Sequence, residues 1–130
     1  MGMYTELVVT ARIKDDPDTV ALINYMIGES IEEPEKLPDS ELFTDDTCWQ
    51  IMLQCSSYYH IPRIVHLFEY DEIGKYWCFH NRSDFKDYSN ESIMFFEWLR
   101  TVLDDRHEGV MLGYTRYEED REPIIYYDGE

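Results

Sequence analysis

The chain has 130 residues, of which 44% are hydrophobic and 15% aromatic, and this composition predicts a single globular domain and excludes a disordered chain. Its 28 acidic and 11 basic residues give a formal net charge of −17, which disfavours direct binding to DNA, RNA or anionic lipid because their phosphates are repelled. A basic protein partner is favoured instead, although an acidic balance also serves solubility alone.

The cysteines Cys48, Cys55 and Cys78 are odd in number and show no CxxC spacing, so we expect free thiols in a reducing compartment. The sequence has no apolar run near the roughly 20 residues that a membrane span needs, and no signal-peptide pattern. Residues 1–2 are typical of an expression scar before a native Met3. We therefore expect a cytoplasmic protein.

The N-terminal third predicts a strand and then a helix. Residues 4–14 alternate apolar and polar side chains, which is the pattern of a half-buried strand. Asp16 is placed to cap a helix over residues 17–27, Pro17 suits its first turn, and Gly28 suits its C-terminal end.

Residues 29–46 contain eight acids, two prolines and Lys36 as their one base, and they predict an acidic surface loop. For residues 48–59 the pattern is mixed, and we expect a helical turn that leads into a strand.

A β-hairpin is predicted over residues 61–82, where two alternating runs flank residues 71–74 and Gly74 is free to adopt positive φ. Both faces of the first run carry bulky apolar groups, so we expect the hairpin to lie in the buried middle of the sheet. If the strands pair symmetrically about residues 72 and 73, His66 lies opposite Phe79 and beside Cys78 and His80.

The C-terminal half predicts a helix over residues 91–103, with Ser89 and Asn90 as capping candidates. Two last strands follow over residues 110–118 and 122–127. Because Pro123 lacks an N–H, we expect the second to start at an edge or to have its first residue unpaired. The element order predicts an α+β fold in one domain: an antiparallel sheet of about five strands with two helices on one face, a ferredoxin-like variant.

Catalytic and metal sites receive little support from the sequence. His60, His66, His80 and Cys78 are the candidate metal ligands, but their spacing matches no known metal motif, and sheet packing is the more ordinary role. The candidate nucleophiles near His60 are Cys55, Ser56 and Ser57, but no GxSxG or comparable motif positions them. We expect no cofactor and no enzymatic activity.

The motifs CSSYY (55–59), FEYDEIGKYWCFHNRSDFKDY (68–88), FFEWL (95–99) and GYTRYEED with EPIIYY (113–127) resemble a group of short acidic proteins of tailed phages, prophages and mobile elements. The resemblance implies an accessory protein made inside a bacterial cell, where many such proteins bind and block a host factor. It assigns no activity and no functional residue.

Three functions remain open. The first is a phage accessory protein that inhibits or modulates a basic host protein, such as a nucleic-acid-binding defence enzyme, with anti-CRISPR activity and nucleic-acid mimicry as two forms. The abundance of tyrosine, which suits interfaces, adds to it. The expected contact residues are Glu32, Glu33, Glu35, Asp39, Glu41, Asp45, Asp46, Tyr114, Tyr117, Glu118, Glu119, Asp120, Tyr126 and Tyr127.

The second function is a small-molecule binder that sequesters a nucleotide signal, with aromatic stacking and arginine contacts to phosphate. Its candidate residues are Arg63, Trp77, Arg82 and Arg116. The third is an enzyme of unidentified reaction. The sequence leaves the oligomeric state open, and a homodimer is compatible with it.

Overall fold

The computed structural model describes residues 3–55, 65–105 and 108–129. The elements follow in the order β1 (Thr5–Lys14), α1 (Pro17–Met26), β2 (Val65–Asp71), β3 (Tyr76–Phe85), α2 (Glu91–Thr101), β4 (Met111–Tyr117) and β5 (Ile124–Tyr127). They form an α+β fold, as predicted. Neither helix of this described part is long and apolar enough to cross a membrane.

The five strands form one antiparallel sheet in the order β2-β3-β1-β4-β5. The first four strands and both helices have the split βαβ order of ferredoxin-like folds, and β5 extends the sheet beyond β4. Pro123 directly precedes β5, which is an edge strand as predicted. The first residue of an edge strand is where a missing backbone N–H is tolerated.

Strand β1 lies at the centre of the sheet because it pairs with β3 on one side and β4 on the other. Leu7, Val9 and Ile13 are fully buried on its inner face, which packs against the helices. The core adds Leu22, Ile23 and Met26 from α1 and Phe95, Phe96 and Leu99 from α2. The alternation of residues 4–14 therefore predicted this strand, but not its central position in the sheet.

The predicted central position of the hairpin was wrong for β2, which is the edge strand opposite β5. Most of its side chains are exposed on both faces. Apolar residues on two faces suggested burial, but only Phe68 packs against the core, where its ring lies 5.6 Å from that of Phe79. β1, not the hairpin, organises the sheet.

The hairpin turn also differs from the prediction. Its closing pair is Asp71 with Tyr76, and Lys75 donates its backbone N–H to the Asp71 carbonyl at 2.8 Å. The Asp71 carboxylate accepts the backbone N–H groups of Ile73 and Gly74, which fixes the turn locally. Positive φ falls on Lys75, at 62°, rather than on Gly74.

Residues 29–46 form the predicted loop, but part of it is buried. Leu42 and Phe43 belong to the core, and the Phe43 ring makes edge contacts with Trp49 and Trp98 at 5.2 and 5.3 Å. The loop therefore forms a further layer over the helices. Residues 49–54 form turns, and the predicted helical turn is present, since Met52 donates its backbone N–H to the Cys48 carbonyl at 2.9 Å. The strand expected at the end of this segment, up to residue 59, falls outside the described part.

Candidate protein-binding surfaces

The acidic loop, residues 29–46, exposes its carboxylates while its apolar side chains anchor it. Leu42, Phe43 and the following Trp49 are almost completely buried. Leu42 donates its backbone N–H to Ser40 Oγ at 3.2 Å, and Thr47 Oγ1 donates to the Leu42 carbonyl. The acidic side chains are exposed on both sides of these anchors. A loop built in this way presents charge from a fixed backbone.

Few carboxylates of the acidic loop are neutralised within the molecule. Glu29 Oε1 contacts His66 Nε2 at 2.9 Å, and Glu33 Oε1 accepts from Gln50 at 3.3 Å. The structure shows no hydrogen bond or ion pair within the described residues for six other loop carboxylates: Glu32, Glu35, Asp39, Glu41, Asp45 and Asp46.

The acidic loop and α2 together border a crevice of about 440 Å³. Asp39, Glu41 and Glu97 line it beside Trp98, and no basic side chain is among its described lining residues. Because three carboxylates share one concave surface next to an indole ring, this crevice suits a guanidinium or ammonium group.

The opposite side of the sheet, here called the outer face, is not covered by either helix. Strand register assigns to it one shared set of side chains: Glu6, Val8, Thr10, Arg12, Lys14, Val65, Leu67, Glu69, Asp71, Tyr76, Cys78, His80, Arg82, Asp84, Tyr114, Arg116 and Ile125. Four of these strand residues are acidic and four are Lys or Arg, so the strand positions balance in formal charge. Asp105 and Asp128 also line a groove of about 590 Å³ on this face.

An ion-pair network lies at one end of the outer face. Arg82 donates to Glu6 at 2.6 Å and to Asp84 at 3.2 Å, and Arg116 lies 3.7 Å from Glu6. Burial alone would lower the pKa of Arg82, but its hydrogen bond to Glu6 and the charge of Asp84 hold that pKa above its ordinary value. Partial burial and the nearby Glu6 raise the pKa of Tyr114. The network is compact and charge-compensated.

The histidine and cysteine candidates do not converge on one site. His66 pairs with Asn81 and faces the helices, whereas His80 pairs with Leu67 and lies with Cys78 on the outer face. The predicted pairing of His66 with Phe79 was therefore wrong by two residues. The closing pair is Asp71 with Tyr76, so the turn is centred one residue later in the sequence than predicted. The described residues contain no cluster of three side chains that could hold a metal, and His60 lies outside them.

The predicted tyrosine surface is divided between different environments. Tyr114 lies on the outer face, whereas the Tyr126 ring stacks on Phe96 at 4.1 Å on the helix side. Tyr117 and Tyr127 are more than one-third exposed, and Glu118, Glu119 and Asp120 follow β4 in a turn. The acidic loop and Tyr114 thus lie on opposite sides of the sheet and do not form one surface.

The predicted nucleotide-binding set is divided as well. Arg82 and Arg116 come together, but around Glu6 rather than around an open space. Trp77 faces the helices, and its indole N–H donates to Asp15 at 3.0 Å. Arg63 lies outside the described residues.

A buried polar cluster connects the segment that follows the acidic loop to the start of α2. Glu91 accepts the backbone N–H groups of Ser89 at 2.8 Å and Cys48 at 3.0 Å, which hold its pKa below the ordinary value despite burial. Burial and the nearby Glu91 raise the pKa of the Cys48 thiol and of Asp87. Asn90 is the N-cap residue but makes no side-chain capping bond. This cluster is structural.

Two functional features were missed from the sequence. Glu6 was interpreted only as a residue on the polar face of β1. Its two arginine partners come from β3 and β4, about 75 and 110 positions away along the chain, so no local pattern indicates them. The charge balance at the strand positions of the outer face also depends on the register of the paired strands. No protein-family model, curated protein or solved structure matches this chain.

Proposed function

We propose that this protein acts without catalysis, by binding a basic surface of another protein through the acidic loop and the adjacent Glu97. The setting implied by the resemblance is a phage or mobile element, and the proposed partner is then a host defence enzyme that binds nucleic acid, such as a CRISPR effector. Nucleic-acid mimicry is one form of this activity. The observation that carries the proposal is the loop itself, whose carboxylates are exposed around buried anchors.

Two physical effects support binding by this surface. The unneutralised carboxylates attract a basic partner at long range and raise its association rate at low salt. The buried Leu42, Phe43 and Trp49 restrain the loop before the partner arrives, so that less conformational entropy is lost on binding. The crevice beside Trp98 supplies a concave position for one Lys or Arg side chain of the partner.

The small-molecule alternative is less favoured by the geometry. A phosphate near Arg82 and Arg116 would have to compete with Glu6, which already contacts both arginines. The aromatic ring proposed to stack on a base, Trp77, faces the other side of the sheet. A nucleotide site on these residues would require the ion-pair network to open.

The proposal is tested by capture from a bacterial lysate on the immobilised full chain, at about 50 mM and about 300 mM NaCl. The parallel bait carries Glu32→Gln, Glu35→Gln, Asp39→Asn and Glu41→Gln, here called the loop-neutralised variant. We expect the wild type to retain one or a few basic proteins at low salt, with less retained at high salt and little retained by the variant.

Recovery of no protein by the wild type at either salt concentration would overturn the proposed function. Equal recovery by the wild type and the loop-neutralised variant would show that the partner binds elsewhere. Circular dichroism and thermal unfolding of both baits check that the substitutions, which are all at exposed positions, leave the fold intact.

A further inference from the structure

Two carboxyl groups of the buried polar cluster at the start of α2 lie together without a base. Glu91 is 3% exposed, and Asp87 Oδ1 is buried with no hydrogen-bond partner in the part of the chain that the structure describes. None of the ion pairs within the described residues includes either side chain. We propose that Asp87 and Glu91 share one proton and form a pH-sensitive latch, which fixes the segment after the acidic loop to α2 and releases it when the proton is lost.

The hydrogen bonds of the cluster assign the proton to Asp87. Both carboxylate oxygens of Glu91 accept a backbone N–H, from Ser89 at 2.8 Å and from Cys48 at 3.0 Å, and such bonds favour the charged form. Among the described residues, Asp87 has no comparable donor at its buried Oδ1, and a buried charge without a partner is costly. A protonated Asp87 instead donates its O–H to the Glu91 carboxylate, with which it is hydrogen-bonded.

The same arrangement separates the pKa values of the two groups. Burial is the main cause that raises the pKa of Asp87, and the hydrogen bond and negative charge of Glu91 raise it further, against a smaller opposing influence of Ser92. For Glu91, burial alone would raise the pKa, but the backbone N–H groups of Ser89 and Cys48 lower it. Because interacting carboxyl groups titrate as a pair, the pair holds one proton over the interval between these two pKa values.

The other titratable groups around the pair supply no compensating positive charge. The Cys48 and Cys55 thiols both have a raised pKa because of burial, so they remain neutral near pH 7. Lys86, the neighbouring base in the chain, has its ammonium group over a tyrosine ring, 5.6 Å from the ring centre. Loss of the shared proton therefore leaves two adjacent carboxylates in a partly buried site without a counter-ion, where like charges repel strongly.

The latch acts on the C-terminal end of the acidic loop. Glu91 accepts the backbone N–H of Cys48, two residues after the end of the loop at Asp46, and Ser89 Oγ donates to the Asp46 carbonyl at 3.4 Å. Repulsion between the two charged carboxylates weakens these links, whereas the apolar anchors of the loop are unaffected. Release therefore loosens one end of the loop. Its effect on binding of a basic protein rests on the proposed function, but the latch itself does not.

The pH dependence of the latch follows from the direction of each shift. Because the folded pKa of Asp87 is raised, its contribution to stability is complete below the unfolded pKa and is lost as pH rises through the folded pKa. Glu91 has a lowered folded pKa, so its contribution is complete above the unfolded pKa and is lost as pH falls through the folded pKa. The latch is therefore closed between the two folded pKa values and opens at higher pH.

The test combines carboxyl titration by nuclear magnetic resonance with amide hydrogen exchange of the full chain, from about pH 4.5 to about pH 8. We expect Asp87 to titrate above the ordinary aspartate range. The protection of the Cys48 amide should fall as pH rises, by about tenfold for each unit by which the pKa of Asp87 is raised. Asp87→Asn has a neutral side chain at every pH, so its Cys48 amide should stay protected. Asp45→Asn removes the same charge from an exposed loop position and should behave as the wild type.

A wild-type Asp87 that titrates at or below the ordinary aspartate pKa would overturn the latch. So would a Cys48 amide whose protection has the same pH dependence in the wild type and in Asp87→Asn. The wild-type titration decides the proposal even where Asp87→Asn is unfolded. Both readouts use the free protein and need no partner, so the latch and the proposed function fail independently.

Discussion

Asp16 illustrates how one side chain can fix the start of an element. It accepts the backbone N–H of Thr19 at 3.1 Å and the Thr19 hydroxyl at 2.8 Å, and it precedes Pro17 at the first helical position. The sequence predicted this cap because capping is local and involves residues only three positions apart.

We expect Asp16→Ala to lower the free energy of unfolding by about 1 kcal/mol at pH 7, the ordinary effect of losing an N-cap. The hydrogen bonds from Thr19 lower the pKa of Asp16 below its ordinary value. The stabilisation is therefore present above the unfolded pKa and is lost as pH falls through the lower folded pKa. Urea unfolding at pH 7 and near pH 3 checks this prediction, with Asp16→Asn as the control that retains a capping side chain. A difference between wild type and Asp16→Ala that grows on acidification would contradict it.

Gly113 is required by a close approach between strands. A Cβ atom at this position would lie 2.0 Å from the Val8 carbonyl oxygen and 3.0 Å from the Val9 Cα, both of which belong to the backbone of the central strand. Those atoms cannot move without separating β1 from β4, beside the irregular pairing between Met111 and Gly113.

We expect Gly113→Ala to destabilise the protein by at least about 2 kcal/mol, because it forces the ladder apart at the centre of the sheet. Gly109→Ala is the contrasting variant: no atom of the described residues lies within 4 Å of its added Cβ, and we expect its cost to come from a φ of +87°. Denaturant unfolding of both proteins measures the difference. Equal stability of the two variants would contradict the close approach at Gly113.

Among the elements, the acidic loop combines surface chemistry with core packing. The sequence predicted its exposure from its acids and prolines, but Leu42 and Phe43 stand among polar residues without periodicity, and no local pattern indicated that they enter the core. Their burial depends on Trp49 and Trp98, and Trp98 lies more than 50 residues away on α2. Such distant contacts are not visible in a sequence window.

We expect Phe43→Ala to lower the free energy of unfolding by about 3 kcal/mol, since it removes a buried ring from contact with two indoles. It should also release the loop and expose the Lys36 peptide bond to trypsin. Leu37→Ala is the control, because Leu37 is 36% exposed in the same loop. Unfolding curves and the rate of cleavage after Lys36 give the two readouts. Unchanged cleavage would show that Phe43 does not hold the loop.

The hairpin of β2 and β3 shows why some features of an element were predicted correctly and others were not. Alternation identified which residues of β2 share a face, because that property is local. It did not identify the edge position, since apolar residues on two faces occur both in central strands and in an edge strand with one face on the core. The register error of two residues came from the turn, where the Asp71 carboxylate, not a glycine conformation, sets the closing pair.

For the whole molecule, composition predicted the sign of the charge but not its distribution. The helix side carries the acidic loop, while acidic and basic residues balance at the strand positions of the outer face. The acidic loop is the surface that we propose for a basic protein partner, and such an association should weaken as salt screens the charges.

Specific recognition by the acidic loop must be distinguished from attraction by the net charge alone. The loop-neutralised variant loses four carboxylates. A turn-neutralised variant with Glu118→Gln, Glu119→Gln, Asp120→Asn and Glu122→Gln also loses four, of which the first three belong to the other part of the predicted surface. The two variants have the same net charge. A difference in binding between the two variants therefore shows where the partner binds and does not reflect net charge.

The most direct measurement is the dissociation constant of the captured partner for the wild type and for these two variants, at one fixed salt concentration. We expect the loop-neutralised variant to bind at least about tenfold more weakly than the wild type, and the turn-neutralised variant to bind within about threefold of it. Equal weakening of both variants, or weakening of the turn-neutralised variant alone, would contradict the assignment of binding to the acidic loop.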